Sequence, residues 1–433
     1  IVLLFVQEGF SQLSKTHYIP PVTGDGGGNG PGIQRIYIST PNSGIVNYSI
    51  RYGGEIGTTG TSGTLYQDGT VSNSATEEVT LSDQPLGGNL SYGQIFVEDS
   101  ETELILNKGF VITADSEIYV SYRFVSRSYN QAGAIVSKGI SALGTSFRAG
   151  MLQNYNSSNH LGFISVMATE NNTKIDFDLP GSVQTTGGQN DHSITLEKFQ
   201  SYFFINRDNQ NSLIGTLISS NKPIAVNTGG FGSFDSSSGG QDYGMDQIVG
   251  STLIGSEYIF IKGIASDAIE TVLIIADKDN TDLYLNDGTT VYQTLNAGEY
   301  VFIKGGDFID GNLYVYSDDP NKKLFAYQGT GKTYTSPYEG ANQGMYFVPA
   351  LNCATKGDVD NIASINEIGA REFNDQAIVS FITKNGANIL VNGSDVTGPP
   401  YNASPTTVVG KSDYVTYKVQ NLTGNIKVEA DDE

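Results

Sequence analysis

The chain has 433 residues, with 52 Gly, 25 Tyr, 20 Phe and no Trp, and 46 acidic against 24 basic side chains give a net charge of −22. That length exceeds one ordinary core, and so acidic a field excludes nucleic acid and anionic membrane as partners. A single cysteine, Cys353, excludes an intrachain disulfide, and a charged fraction of 16% leaves much of the surface to Asn, Ser, Thr and Gly, as in exported proteins.

Aromatic and β-branched residues are plentiful and no stretch keeps a helical period between caps, so the expected class is all-β. Ile1 to Val6 is apolar and gives way to Ser11 and Gln12. It reads as the remnant of a secretory signal peptide over residues 1–12, or as a first strand, and it is too short to span a bilayer. Residues 13–32 carry Pro20, Pro21 and a glycine-rich run from Gly24 to Gly32. No strand leads into that run and no helix follows it, so it is expected to be leader and linker rather than a phosphate cradle, with folding to begin near Ile33.

From Ile33 the chain can be laid against itself. ENNTKIDFD (170–178), KDNTDLYLN (278–286) and KNGANILVN (384–392) lie roughly 106 to 108 residues apart, and PNSGIVNYS (41–49) fits the same frame. Each follows an apolar run, giving strand, polar turn, strand. A second phrase places Tyr202, Tyr300 and Tyr414 at the start of alternating strands. A third, LIGTLISSNKPIAVNTG (213–229), reads as a hairpin around Ser219 to Lys222, and copies of it open at Gly109, Gly311 and Gly424. The last copy stops at Glu433, which suggests a fragment of a longer chain. Four units are expected, 33–130, 131–240, 241–335 and 336–433, each a β-sandwich of short strands; a compact, propeller-like ring of the pseudo-repeats is the alternative.

Between the units stand AGAIVSKGISALGTSFRAG (132–150), GQDYGMDQIVGSTLIGSEYIFIKG (240–263) and GANQGMYFVPALN (340–352). With MATENNTKIDF and the third phrase, these resemble the IgGFc-binding N-terminal domain family, found in animal mucus proteins and in Bacteroidota surface proteins. The leader FSQLSKTHYIPPV is similar to the start of exported Bacteroidota proteins that end in a gliding-motility-associated, type IX sorting domain. The resemblance implies a secreted or surface-displayed binding module and offers no catalytic residues to carry over. Animal members have several cysteines where this chain has one, so Fc binding is not carried over with it.

Local chemistry points the same way. Asp277, Asp279 and Asp282 have a spacing that suits calcium, but Asp282 stands where an EF-hand needs Gly, and the matching positions Thr169, Asn171 and Lys174 are not ligands. They are expected to form a solvated turn, as are Asp307, Asp310, Asp318 and Asp319. His17, His160 and His192 are scattered and are expected at the surface or in turns. Cys353 has no nucleophile context and no G-x-S-x-G elbow is present, so Cys353 is expected to be a small buried hydrophobe. Tyr129, Tyr334 and Tyr338, and the long loop from Gly229 to Gln247, are the candidate binding surfaces, with partial burial as the other reading of the tyrosines. No cofactor, metal or catalytic residue is assigned and the ligand-binding residues are unknown. The expected function is non-catalytic extracellular adhesion or recognition of a glycan or protein, with a structural stalk and a carbohydrate-active enzyme as the alternatives.

Overall fold

The computed structural model describes residues 12–24, 31–53, 63–82, 94–127, 130–152, 160–181, 191–207, 213–232, 241–333, 341–351, 360–369, 371–373 and 377–432. The apolar start at 1–11, the central glycines at 25–30, Cys353, Tyr129, Tyr334 and Tyr338 lie outside these. Among the described residues there is no α-helix, and the architecture is all-β with antiparallel pairing between every named strand.

The first segment comprises β1 (Ser14–Ile19), β2 (Pro31–Ser39), β3 (Val46–Tyr52), β4 (Thr64–Val71), β5 (Glu77–Ser82), β6 (Ile105–Leu106), β7 (Phe110–Ser126) and β8 (Ala132–Val136). Its long β7 pairs through its first half with β3 and β1, and through its second half with β2 and β8. The second comprises β9 (Gly144–Arg148), β10 (Leu161–Ala168), β11 (Thr173–Asp178), β12 (Asp191–Leu196), β13 (Ser201–Asn206), β14 (Leu217–Gly232) and β15 (Asp242–Ile248). Here β14 pairs first with β11 and β9, then with β10 and β15.

The third holds β16 (Glu257–Ile261), β17 (Thr271–Ala276), β18 (Thr281–Leu285), β19 (Gln293–Leu295), β20 (Tyr300–Lys304), β21 (Asn312–Tyr316), β22 (Leu324–Thr333) and β23 (Ala341–Phe347). Two strands share the work of β14: β21 pairs with β18 and β16, and β22 with β17 and β23. The last holds β24 (Asp360–Ile362), β25 (Glu367–Ile368), β26 (Arg371–Glu372), β27 (Ala377–Lys384), β28 (Ile389–Val391), β29 (Ser394–Asp395), β30 (Thr406–Thr407), β31 (Tyr414–Leu422) and β32 (Ile426–Ala430). In it β32 pairs with β28 and β24, and β27 with β31.

Four expectations change. The phrase at 213–229 is not a hairpin: β14 runs unbroken through Ser219 to Lys222, and a register shift there bends it from one set of partners to the other. A strand with partners at both ends gains a full ladder on each half, which folding back on itself would forfeit. The glycines that open the copies, Gly109, Gly215, Gly311 and Gly424, all take left-handed backbone (φ +105, +87, +82 and +68), the conformation that spares only glycine a Cβ clash.

Secondly, the expected linker contains a core strand. Ser14–Ile19 pairs with β7 and His17 is fully buried, so ordered structure begins well before Ile33. Thirdly, the strands at the expected joints pair backwards: β8, β15 and β23 join β7, β14 and β22. In the stretch Gly229 to Gln247, expected to be a loop, 229–232 end β14 and 242–247 belong to β15, and 233–240 lie outside the described residues.

Packing explains why several strands lack alternation. β17 sends Val272, Ile274 and Ala276 into its own core and Leu273 and Ile275 into the core of the second segment, so both faces must be apolar. β10 likewise faces inward with Ile164, Val166 and Ala168, and lays Leu161 and Phe163 on the first segment. Ile382 of β27 packs with Ile259 and Tyr314 of the third. The outward face of β2 carries Tyr37 and Ser39, which bond to Gly369 and Asn361 of the last segment. Contacts therefore run from each segment to the one before and from the first back to the last, which is the opposite of an extended stalk.

Candidate binding cleft

Where β8, β15 and β23 lie side by side, polar groups are gathered out of water. Asp246 and Lys138 form an ion pair of 2.7 Å, with side chains 6% and 2% exposed. The Asp246 carboxylate also accepts the N–H groups of Val136 (3.4 Å), Gln247 (2.8 Å) and Phe347 (2.9 Å), one from each of the three strands. Gln247 accepts the Lys138 N–H and donates to the Tyr18 carbonyl, while Asn227 donates to that of Pro20. His17 bonds to Ser137 and faces the carbonyls of Ser14 and Ile118, and burial pushes its pKa down to about 4. Low dielectric makes each bond strong and each omission costly, so the cluster ties the three strands together as a joint.

Two of the carboxylates that burial perturbs are turned onto backbone in the same way. Asp242, raised to about 7 by burial, accepts the N–H groups of Ala132 and Tyr243. Glu270 is fully buried and accepts those of Gly263 and Ala265.

A cleft of about 390 Å³ opens between the first and last segments, against β2, β7 and β8 on one side and β24 and β25 on the other. Its polar wall is Arg123, whose Cζ lies 4.2 Å from the centre of the Tyr37 ring. The guanidinium donates to the carbonyls of Ser364 (2.7 Å), Glu367 (3.0 Å) and Ala363 (2.9 Å), and to Ser121 Oγ. A planar fork with five donors suits a run of carbonyls, and Arg123 thereby pins the 363–367 turn onto β7. Tyr37 Oη donates to the Gly369 carbonyl at 2.9 Å. The Glu367 carboxyl is raised by burial and by the neighbouring Glu78 and Glu372. Aliphatic side chains complete much of the lining, Val120 and Val136 on one side and Ile362, Ile365 and Ile368 on the other, with Gln12, Ser39, Tyr119 and Asn361 among them.

None of these residues was singled out by sequence reasoning. A signal existed: in QRIYIS of β2 the inward residues are Ile36 and Ile38, yet the opposite face is Arg35, Tyr37 and Ser39, where β10 and β17 carry apolar residues on both faces. The singled-out residues fall elsewhere. Asp279 Oδ1 accepts the Ala297 N–H at 3.0 Å, as Asn171 Oδ1 accepts that of Lys198 at 3.0 Å, so both cap the same turn. Asp282 accepts from Thr294, and Asp319 from Asn321. Among the described residues no group of three or more His, Cys, Asp or Glu side chains is placed to hold a metal. His17 and His160 are buried, not surface residues, because each has a partner that repays desolvation: the carbonyls already named for His17, and Gln241 for His160. His192 stacks on Tyr202 and bonds to its hydroxyl.

No helix among the described residues is long and apolar enough to cross a membrane. No curated protein matches the chain. Residues 132–433, from the first residue of β8 onward, match the model described as IgGFc binding protein, and the chain therefore belongs to the IgGFc-binding protein family.

Proposed function

We propose that the chain is a non-catalytic recognition module displayed outside the cell, and that the cleft between its first and last segments takes an apolar projection of a protein ligand. The observation that carries this is the state of the polar wall. Arg123 gives four of its five N–H donors to three carbonyls and a hydroxyl, and its guanidinium covers the Tyr37 ring. That commits the Arg123 charge to carbonyls and covers one face of the Tyr37 ring, while Val136 and Ile365 line the opening together with Tyr119. The family description favours a protein ligand; Fc itself comes only from that description. The buried carboxylates bonded to backbone N–H groups support binding over hydrolysis.

We also read the chain as four copies of one pairing scheme, closed into a ring, with boundaries after β8, β15 and β23 rather than before them. Export of a bacterial surface protein, the setting suggested by the leader, belongs to this proposal too.

The test uses the full chain on a sensor surface against immunoglobulin Fc, mucin glycoprotein before and after deglycosylation, and free glycans. Binding of a protein that survives deglycosylation and falls at least tenfold with Ile365→Asp supports the reading, provided circular dichroism shows the variant folded. Binding to free glycans alone, indifferent to Ile365→Asp, overturns it.

A further inference from the structure

Three tyrosines form one stack on the outward face of the third segment. Tyr314 and Tyr316 alternate along β21, with ring centroids 4.8 Å apart and planes inclined by 18°. Tyr284 on β18 pairs in register with Tyr316 and stacks on it at 5.3 Å and 19°. The two ends of this stack differ. At the inner end the last segment brings Lys411 to the Tyr314 ring, with Nζ 5.8 Å from its centre, and Glu257 accepts from both Lys411 (2.6 Å) and the Tyr314 hydroxyl (2.9 Å). Tyr414 repeats the arrangement: Lys384 Nζ lies 3.9 Å from its ring centre and 3.3 Å from Asp413. The chain thus holds an ammonium group between a tyrosine ring and a carboxylate twice over.

The outer end has the ring and the carboxylates without the cation. Tyr284 is half-buried, and the strand period puts Asp282, two residues before it, on its own face. Ser317 still bonds to the Ser256 carbonyl, so the alternation of β21 carries on past Tyr316 and sets Asp318 on that face as well. In keeping with that register, desolvation and then the charges of Asp318 and Asp282 raise the pKa of the Tyr284 hydroxyl. Among the described residues no cation lies over the Tyr284 ring and no ion pair reaches Asp282 or Asp318. Lys322, on the turn that carries Asp318, donates to the Asp279 carbonyl instead. Tyr292, 42% exposed, is held beside β18 by its N–H bond to the Leu283 carbonyl (2.7 Å).

We propose that the end of the tyrosine stack, the Tyr284 ring with Asp318 and Asp282, is a docking site for a lysine or arginine side chain of a partner protein. The occupant follows from the two filled examples and from charge. A ring face attracts a cation through its quadrupole, and the carboxylates beside it supply the counter-charge. A net charge of −22 draws basic partners in and disfavours a second copy of this chain. A sugar is the poorer match: a sugar platform lays ring faces open to solvent, whereas this stack turns its faces on one another and leaves only its end. The site is separate from the cleft and does not depend on what the cleft binds.

The experiment is a saturation-transfer NMR titration of the full chain with acetylated, amidated Gly-Gly-X-Gly-Gly peptides, where X is lysine, arginine or norleucine, and with methyl glycosides. The lysine and arginine peptides are expected to bind, and the norleucine peptide, which keeps the aliphatic stem and lacks the charge, to bind about tenfold more weakly or not at all. Tyr284→Leu should weaken binding of the lysine peptide about fivefold and Asp318→Asn about threefold. Tyr284→Phe keeps the ring and should keep the binding, and Asp279→Asn removes a neighbouring charge without touching the site. Ile365→Asp in the cleft should also leave it unchanged, so failure here and failure of the cleft are read separately. Circular dichroism checks each variant, and Asp318→Asn, at an exposed side chain, carries the test if Tyr284→Leu does not fold. The proposal is overturned if neither charged peptide binds, if norleucine binds as well as lysine, or if a folded Tyr284→Leu or Asp318→Asn protein binds as the parent does. Methyl glycosides that bind the parent and are lost in Tyr284→Leu also overturn it, in favour of a sugar site.

Discussion

Removing the Asp246 charge is the sharpest test of the joint between the three strands. In Asp246→Asn one oxygen becomes an NH2 group. Oδ1 serves Val136 and Gln247, and Oδ2 serves Lys138 and Phe347, so whichever position the NH2 takes, donors meet donors. Lys138, 2% exposed, then keeps a charge with no counter-ion. Breaking a buried pair from one side costs about 3–5 kcal/mol, because the surviving charge stays desolvated. With an unfolding entropy of about 2 cal/mol/K per residue, a chain of this size loses roughly 1 °C for each kcal/mol if it unfolds as one unit, so Tm should fall by about 3–5 °C in differential scanning calorimetry. The double variant Lys138→Met with Asp246→Leu removes both charges and should recover much of the loss. The exposed pair Lys174–Asp176 is the control, and Lys174→Ala should shift Tm by less than about 1 °C. An Asp246→Asn protein as stable as the parent, or a double variant no better than the single one, would refute the argument.

Further outcomes follow from the same geometry. Gly215→Ala and Gly311→Ala share a left-handed backbone, but a Cβ at Gly215 meets the Gly298 carbonyl while one at Gly311 meets nothing, so Gly311→Ala should cost about 1–2 kcal/mol in urea unfolding and Gly215→Ala clearly more. His17 is held neutral, with a folded pKa near 4 against 6.5 unfolded. Its contribution is whole above pH 6.5 and is lost as pH falls toward 4, and His17→Gln should flatten that limb of the Tm profile. Asp242 has the opposite sign, its pKa being raised to about 7: its contribution is present in acid and lost as pH rises through 7, so Asp242→Asn should raise Tm at pH 8 but not at pH 4. Asp279→Asn should be silent and Asp279→Ala should cost about 0.5–1.5 kcal/mol, with calcium leaving Tm unchanged in both, since the side chain caps a turn as Asn171 does. A calcium-dependent rise in Tm lost in Asp279→Ala would contradict that role.

Much of the framework was legible in the chain. Apolar runs, turn residues and the recurring glycines marked strand positions, because period, turn chemistry and left-handed backbone are local properties. Tyr300 and Tyr414 begin β20 and β31, as their alternation indicated. Pairing was not legible in the same way. Leu213 to Gly229 looks like a hairpin because Ser-Asn-Lys-Pro is turn chemistry, yet β14 continues through it since both halves find partners elsewhere.

The cleft is the clearest case of what only tertiary structure decides. Arg123 and Tyr37 are ordinary strand residues until the last segment, some 240 residues later in the chain, brings the carbonyls of Ala363 and Ser364 against them. The histidines show it as well: an isolated His17 in a polar stretch reads as exposed, and it is buried because carbonyls from β1 and β7 meet its ring. By itself the sequence determined the all-β class, the strand positions and the absence of alternation in β10 and β17. The partners of each strand, the burial of the Asp246 joint and the cleft were decided in the folded chain. The reason is physical: propensity and period act within a few residues, whereas desolvation and bond satisfaction depend on segments that meet only after folding.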